Sequence, residues 1–302
     1  MNSGLSTIGL PIVLAVIMFG LGLSLTVGDF TRVARHPRAV AIALVCQLVV
    51  LPAVAFGLVL LFDLPALLAV GMMLLAASPG GTTANLFSHL FRGDVALNVS
   101  LTAVNSVIAV VTLPLITNFA LGYFDPPDGG PLGLQFAKVL QIFAIVLIPV
   151  AIGVWVRRVR PGFANRMDRP VRISSAVALA LVVLGTVVAE RENIAGYLAD
   201  VGVVVLIFCV LSLTIGYVVP RALGITSHQS IASSMEIGIH NSTLAITIAV
   251  GLLDSTRIAV PAAVYGVAMF PVAALFGWAI THRRTGFGDQ APDSGAAVEV
   301  AG

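Results

Sequence analysis

The sequence predicts an all-α membrane protein. Three observations predict it: 58% of the 302 residues are hydrophobic, only 10% are charged, and the charges are confined to short segments between long apolar runs. A soluble domain carries roughly a quarter charged residues, so most of this chain's surface must face something other than water. A spanning helix takes roughly 20 mostly apolar residues. Nine stretches meet that condition, about 7–27, 39–62, 66–91, 94–120, 134–157, 172–190, 199–220, 228–253 and 258–281. The basic residues fall in short loop clusters, which excludes nucleic acid as a partner. No dinucleotide fingerprint, phosphate loop or zinc-ligand set appears, and nothing points to an obligate protein partner. Cys46 and Cys209 each sit inside an apolar run and read as small buried hydrophobes, not as a disulfide or metal site.

The spans can be ordered by the basic residues between them. Met1–Ser6 lacks a basic region and the run at 7–27 is long enough to span, so it reads as a helix and not as a cleavable signal. Its loop carries Arg32, Arg35 and Arg38. The second span holds Gln47 ahead of Pro52 and ends in a loop without basic residues. The third leads to Arg92. The fourth is followed by Leu121–Pro131, again without basic residues, and the fifth by Arg157, Arg158, Arg160, Arg166, Arg169 and Arg172. Later loops carry Arg191, Arg221 and Arg257, and the tail begins with Arg283 and Arg284. With the N-terminus outside and the C-terminus in the cytoplasm, thirteen of the sixteen basic residues are cytoplasmic; Lys138, Arg191 and Arg257 are not. Residues 1–284 therefore read as one transmembrane domain, and 285–302, rich in Gly, Ala, Asp and Ser, as a disordered cytoplasmic tail.

Two spans are not ordinary helices. The third contains Ser78-Pro79-Gly80-Gly81-Thr82-Thr83 at its middle. Proline removes a backbone donor and glycine weakens a helix further. A break at that depth is tolerated only inside protein or beside water. The eighth carries Glu236, Gly238, His240, Asn241, Ser242 and Thr243 at mid-span. A carboxylate there costs about 2.5–3.5 kcal/mol on insertion scales and marks a functional site. Each broken span is followed by a short polar turn and a long helix. Paired broken helices in two halves point to an inverted-repeat transporter, with repeats at 5–120 and 132–282 built from four and five helices.

At these residues the sequence resembles the bile acid:sodium symporter family. The resemblance rests on IMFGLGLSL in the first span, CQLVVLP in the second, SPGGTTANL running into HLFRGDVALNVSLTAVNS, and EIGIHNSTLA in the eighth. It implies a core domain with two helices that break and cross at mid-membrane, a panel domain that moves against it, and one or two sodium ions at the crossing. It implies organic-anion substrates, from bile acids to smaller carboxylates such as pantoate or keto acids. Carried over by position, the first sodium site is Asn85, Asn98, Thr102 and Glu236. The second is Gln47, Glu236 and His240 with the carbonyls of Ile237 and Ile239. Ala84 stands where relatives offer a serine, Asn98 where a serine is common, and His240 where a glutamine is usual. Sodium is a hard cation that takes oxygen ligands, and an imidazole offers only nitrogen. The N-termini of the half-helices near Thr82, Thr83 and Asn241 suit an anionic substrate.

Other classes fit less well. A membrane aspartyl protease needs two intramembrane aspartates, and no apolar run has one at its middle. Ser78 or Ser242 with His240 lacks a third feature that would make a serine hydrolase. A channel would show a repeated pore motif. A proton-coupled or exporting carrier of the same fold stays open as the alternative, because His240 can carry a proton.

Overall fold

A computed structural model describes residues 35–81, 83–126, 136–167 and 194–282, with scattered positions between 15 and 28 and between 170 and 177. The expected first and sixth spans lie largely outside the described residues, and the tail 285–302 and Thr82 lie outside them entirely. What is described is helical. In chain order the helices are α1 (Pro37–Leu61), α2 (Ala66–Ala77), α3 (Thr83–Leu90), α4 (Val95–Phe124), α5 (Phe136–Val159), α6 (Ile194–Ala222), α7 (Ser227–Gly238), α8 (Ser242–Gly251) and α9 (Thr256–His282). The expected third and eighth spans are each a pair of half-helices, α2–α3 and α7–α8, broken where the sequence places them.

Among the described residues, Pro37–Leu61, Val95–Phe124, Val201–Ala222 and Thr256–His282 are each long and apolar enough to cross a membrane unaided. Helix α4 shows how the fold suits lipid. Val107, Val111, Leu115 and Phe119, at steps of four, are exposed, whereas Asn98, Thr102, Asn105 and Ser106 are buried. Apolar side chains outward and amides inward invert the pattern of a soluble helix, and exposed apolar surface on this scale marks contact with another apolar phase.

Inside α1 the turn Cys46–Val50 is π-helical. Pro52 has no N–H to give the preceding turn, and the Leu51 N–H reaches back five residues to the Cys46 carbonyl. The wider turn carries Gln47, which is buried. Gly22, in the described part of the first span, lies so close to Val150 and Gly153 of α5 that a Cβ would strike backbone. It is a packing contact.

Both halves repeat one plan: half-helix, break, half-helix, tight turn, long helix. The turns use a left-handed residue at matching places, Arg92 (φ 57°) after α3 and Asp254 (φ 50°) after α8. The loops expected on the cytoplasmic side gather on one face. Arg38 Nη2 donates to the Leu223 carbonyl (2.8 Å), the Gln229 side chain meets His36 Nδ1 (3.1 Å), and Asp94 N–H donates to the His228 carbonyl (2.9 Å).

Candidate functional site

The two breaks cross as a short antiparallel backbone pair, with Gly80 opposite His240. Gly81 N–H donates to the Ile239 carbonyl (2.7 Å) and Asn241 N–H to the Pro79 carbonyl (2.8 Å). Each helix, on breaking, frees main-chain groups that lipid cannot satisfy, and each break supplies the other's partners. Asn241 then starts α8: its side chain accepts from Leu244 N–H (3.1 Å), the capping bond that asparagine favours.

On one side of the crossing lies Glu236, buried near the end of α7. Thr102 Oγ1 donates to its Oε2 (2.5 Å), and Asn105 also approaches the carboxylate. Gly80 lies against it, and a Cβ there would fall on the carboxylate atoms. Asn98 Nδ2 donates to the Ala232 carbonyl (2.7 Å), one turn before Glu236. That bond uses the amide's nitrogen and leaves its oxygen. The buried oxygens Glu236 Oε1, Asn85 Oδ1, Asn98 Oδ1 and Asn105 Oδ1 have no hydrogen-bond donor. Buried polar atoms in native proteins are nearly always partnered. These oxygens are acceptors on α3, α4 and α7, which a small cation or a hydrogen-bond donor would satisfy.

On the other side lies His240, at which Glu236 and His240 part company. Glu236 points toward α4, whereas His240 stacks on Phe208 of α6 (centroids 5.6 Å, 17°) and meets Tyr265 of α9 edge-on (5.3 Å, 68°). Its Nδ1 donates to the Ser78 carbonyl (3.1 Å), which also accepts from Gln47 Nε2 (2.9 Å). Tyr265 Oη donates to the Gly238 carbonyl (2.9 Å).

Of the residues expected from sequence, Thr102 meets Glu236 and Asn98 lies one turn away on α4, while Gln47 and His240 share the Ser78 carbonyl; Asn85 lies on α3 with its side-chain oxygen buried and unpartnered. Ile239 is buried, and its carbonyl already accepts from Gly81. Ile237 is buried, and the N–H that would close its helical turn, that of Asn241, is turned to Pro79. Thr83 and Asn241 stand half-buried at the starts of α3 and α8. Sequence reading missed three residues. Asn105 carried a signal, since seven positions past Asn98 is the same face of a helix. Phe208 and Tyr265 carried none, being aromatic residues in apolar spans. Both cysteines are sequence-distant from the breaks but close in space: Cys46 precedes Gln47, and Cys209 touches Tyr265.

The model of the sodium bile acid symporter family matches residues 11–197. A sodium-dependent transporter of Bacillus subtilis, YocS, is 30% identical over 258 residues, covering 85% of this chain and 78% of the relative. The chain belongs to the sodium bile acid symporter family. Two further relatives are similar over comparable lengths. The rice chloroplastic protein named probable sodium/metabolite cotransporter BASS1 is 32% identical over 83% of this chain and 60% of its own length. The human ileal sodium/bile acid cotransporter is 26% identical over 81% and 69%. This chain thus spans about three-fifths of the rice protein's length. The family match stops before Glu236, but the 258-residue likeness to the Bacillus transporter necessarily runs past it. As a symporter-family member, the chain is a multi-pass α-helical membrane protein.

Proposed function

We propose that this chain is a sodium-coupled symporter of an organic anion in the cell membrane, and not an enzyme. The observation that carries the reading is the buried Glu236 carboxylate at the helix crossing, met by Thr102 and Asn105, with unpartnered amide oxygens of Asn98 and Asn105 on the same helix α4. Family membership and the sodium-dependent relatives support the choice of cation. The substrate is a carboxylate of small or medium size, such as pantoate or a keto acid. The starts of α3 and α8 support this, because Thr83 and Asn241 stand where N–H groups and the positive ends of two helix dipoles meet. Thr82 belongs to the same stretch. In this reading 1–284 is the transporter, with repeats 5–120 and 132–282. A core containing α2–α4 and α7–α9 moves against the other helices to expose the crossing to each side in turn. The N-terminus is outside and the C-terminus in the cytoplasm of a bacterial inner membrane.

The test is thermal unfolding of the purified protein in sodium and in potassium. A ligand at about 100 times its Kd stabilises the folded state by about 2.7 kcal/mol. Sodium is expected to raise Tm and potassium to leave it unchanged, with Asn85→Ala and Thr102→Ala weakening the sodium effect. Small carboxylates are expected to add a further rise only when sodium is present. Equal shifts by both cations would refute sodium coupling, and a response confined to neutral or cationic solutes would refute the anion.

A further inference from the structure

Where α5 ends, an exposed apolar stripe and a cluster of arginines coincide. Ile148, Ile152 and Trp155 lie at steps of three or four on α5 and are exposed, like the outward residues of α4. The stripe does not stop with the helix, because Val159 and Phe163 continue it at the same step and are exposed too. The helical run is interrupted at Arg160, ahead of Pro161, which has no N–H to give, and resumes over 161–167. Two backbone bonds carry the register across the interruption, Arg160 N–H to the Val156 carbonyl (2.8 Å) and Ala164 N–H to the Arg160 carbonyl (3.0 Å). The opposite face is fixed to the protein. Ala164 and Leu23 of the first span are both fully buried, with Phe19, Val156 and Met167 packed against them.

Arg157, Arg158, Arg160 and Arg166 fall within ten residues that include no acid. Arg157 Nη1 donates to Asn165 Oδ1 (2.5 Å), tying one guanidinium across the interruption. Arg160 and Arg166 are exposed and Arg158 is half-buried. Exposed apolar side chains among arginines, with a tryptophan one turn before them, suit the boundary between acyl chains and headgroups. A guanidinium takes phosphate through paired N–H groups. A soluble acidic partner would match the charges but not Trp155, Val159 and Phe163, which prolong the membrane-facing stripe.

We propose that the stretch 157–166 is a binding site for an anionic phospholipid. Arg158 and Arg160 hold its phosphate, and its acyl chains lie along Trp155, Val159 and Phe163. The site belongs to α5 and the segment after it, and shares no residue with the crossing at Glu236.

The chain has two tryptophans, Trp155 and Trp278, so Trp278→Phe leaves Trp155 as the single reporter. The full chain carrying Trp278→Phe is placed in phosphatidylcholine bilayers that contain either phosphatidylglycerol or phosphatidylcholine with brominated acyl chains, which quench an indole on contact. Brominated phosphatidylglycerol is expected to occupy the contact in preference to brominated phosphatidylcholine at the same mole fraction, by roughly five-fold for each arginine engaged. Adding Arg158→Gln and Arg160→Gln is expected to bring the two lipids level. Equal quenching by the two lipids with the arginines in place would overturn the proposal, and that measurement needs no arginine variant. A preference for the anionic lipid that survives the double substitution would overturn it as well, since other groups would then hold the headgroup.

Discussion

At Gly80 the chain has no side chain because the Glu236 carboxylate occupies the place of one. Gly80→Ala is therefore expected to do two things at once. It lowers Tm, by the about 1–3 kcal/mol that overpacking costs, and it removes the sodium-dependent rise in Tm by displacing the carboxylate. Glu236→Gln separates the two effects. The amide keeps the volume and loses the charge, so the sodium response is expected to vanish while Tm in potassium changes little. Were Glu236→Gln to keep a full sodium response, the carboxylate would be a structural hydrogen-bonding group only. Glu236 was legible in the sequence because an acid in the middle of an apolar run is costly to insert and is seldom kept there without a function. Asn85, Asn98 and Thr102 were named by resemblance. The role of Gln47 was only half visible. Pro52 announced a local distortion, but that the distortion is a π turn aiming the amide at the Ser78 carbonyl depends on how the turn settles against α2.

At the scale of elements, the breaks in α2–α3 and α7–α8 could be placed from proline, glycine and clustered polar residues, because each of these withdraws a hydrogen bond or offers a competing one. Helix ends followed the apolar runs to within a few residues, except that α6 begins at Ile194, earlier than the run at 199 suggested. What could not be read is which face of each helix meets which neighbour. The apolar spans α6 and α9 look alike along their length, and only packing reveals that Phe208 and Tyr265 close on His240. The start of α8 can be tested alone. Asn241 caps it through Leu244 N–H, so Asn241→Ala is expected to cost about 1 kcal/mol and Asn241→Asp or Asn241→Ser to cost less. If Asn241 also faces the anion, Asn241→Ser is expected to recover Tm but not the carboxylate-dependent rise. Equal recovery of both would confine Asn241 to capping.

For the whole molecule, the positive-inside reading and the structure agree on which loops share a face, since Arg38, Asp94 and His228 lie at one end and are joined there by hydrogen bonds. Cysteine labelling can decide the orientation. Cys46 and Cys209 are buried, so a membrane-impermeant maleimide is expected to reach neither in the folded protein. His36 and Phe62 are exposed and lie at opposite ends of α1, whose 25 residues rise about 38 Å. His36→Cys is expected to label only from the cytoplasmic side and Phe62→Cys only from outside; the reverse pattern would invert the topology. A last consequence follows from the paired bonds at the crossing. Stretches outside regular helix are ordinarily where a chain opens first and where amide hydrogens exchange fastest. Here the Gly81 and Asn241 amides lie in such stretches, yet each is tied to the opposite break. They are expected to exchange deuterium as slowly as amides inside α4, and faster exchange at the turns holding Arg92 and Asp254 would set them apart. The breaks are then a weld and not a hinge, and any change of access must come from whole bodies of helices sliding past that fixed joint.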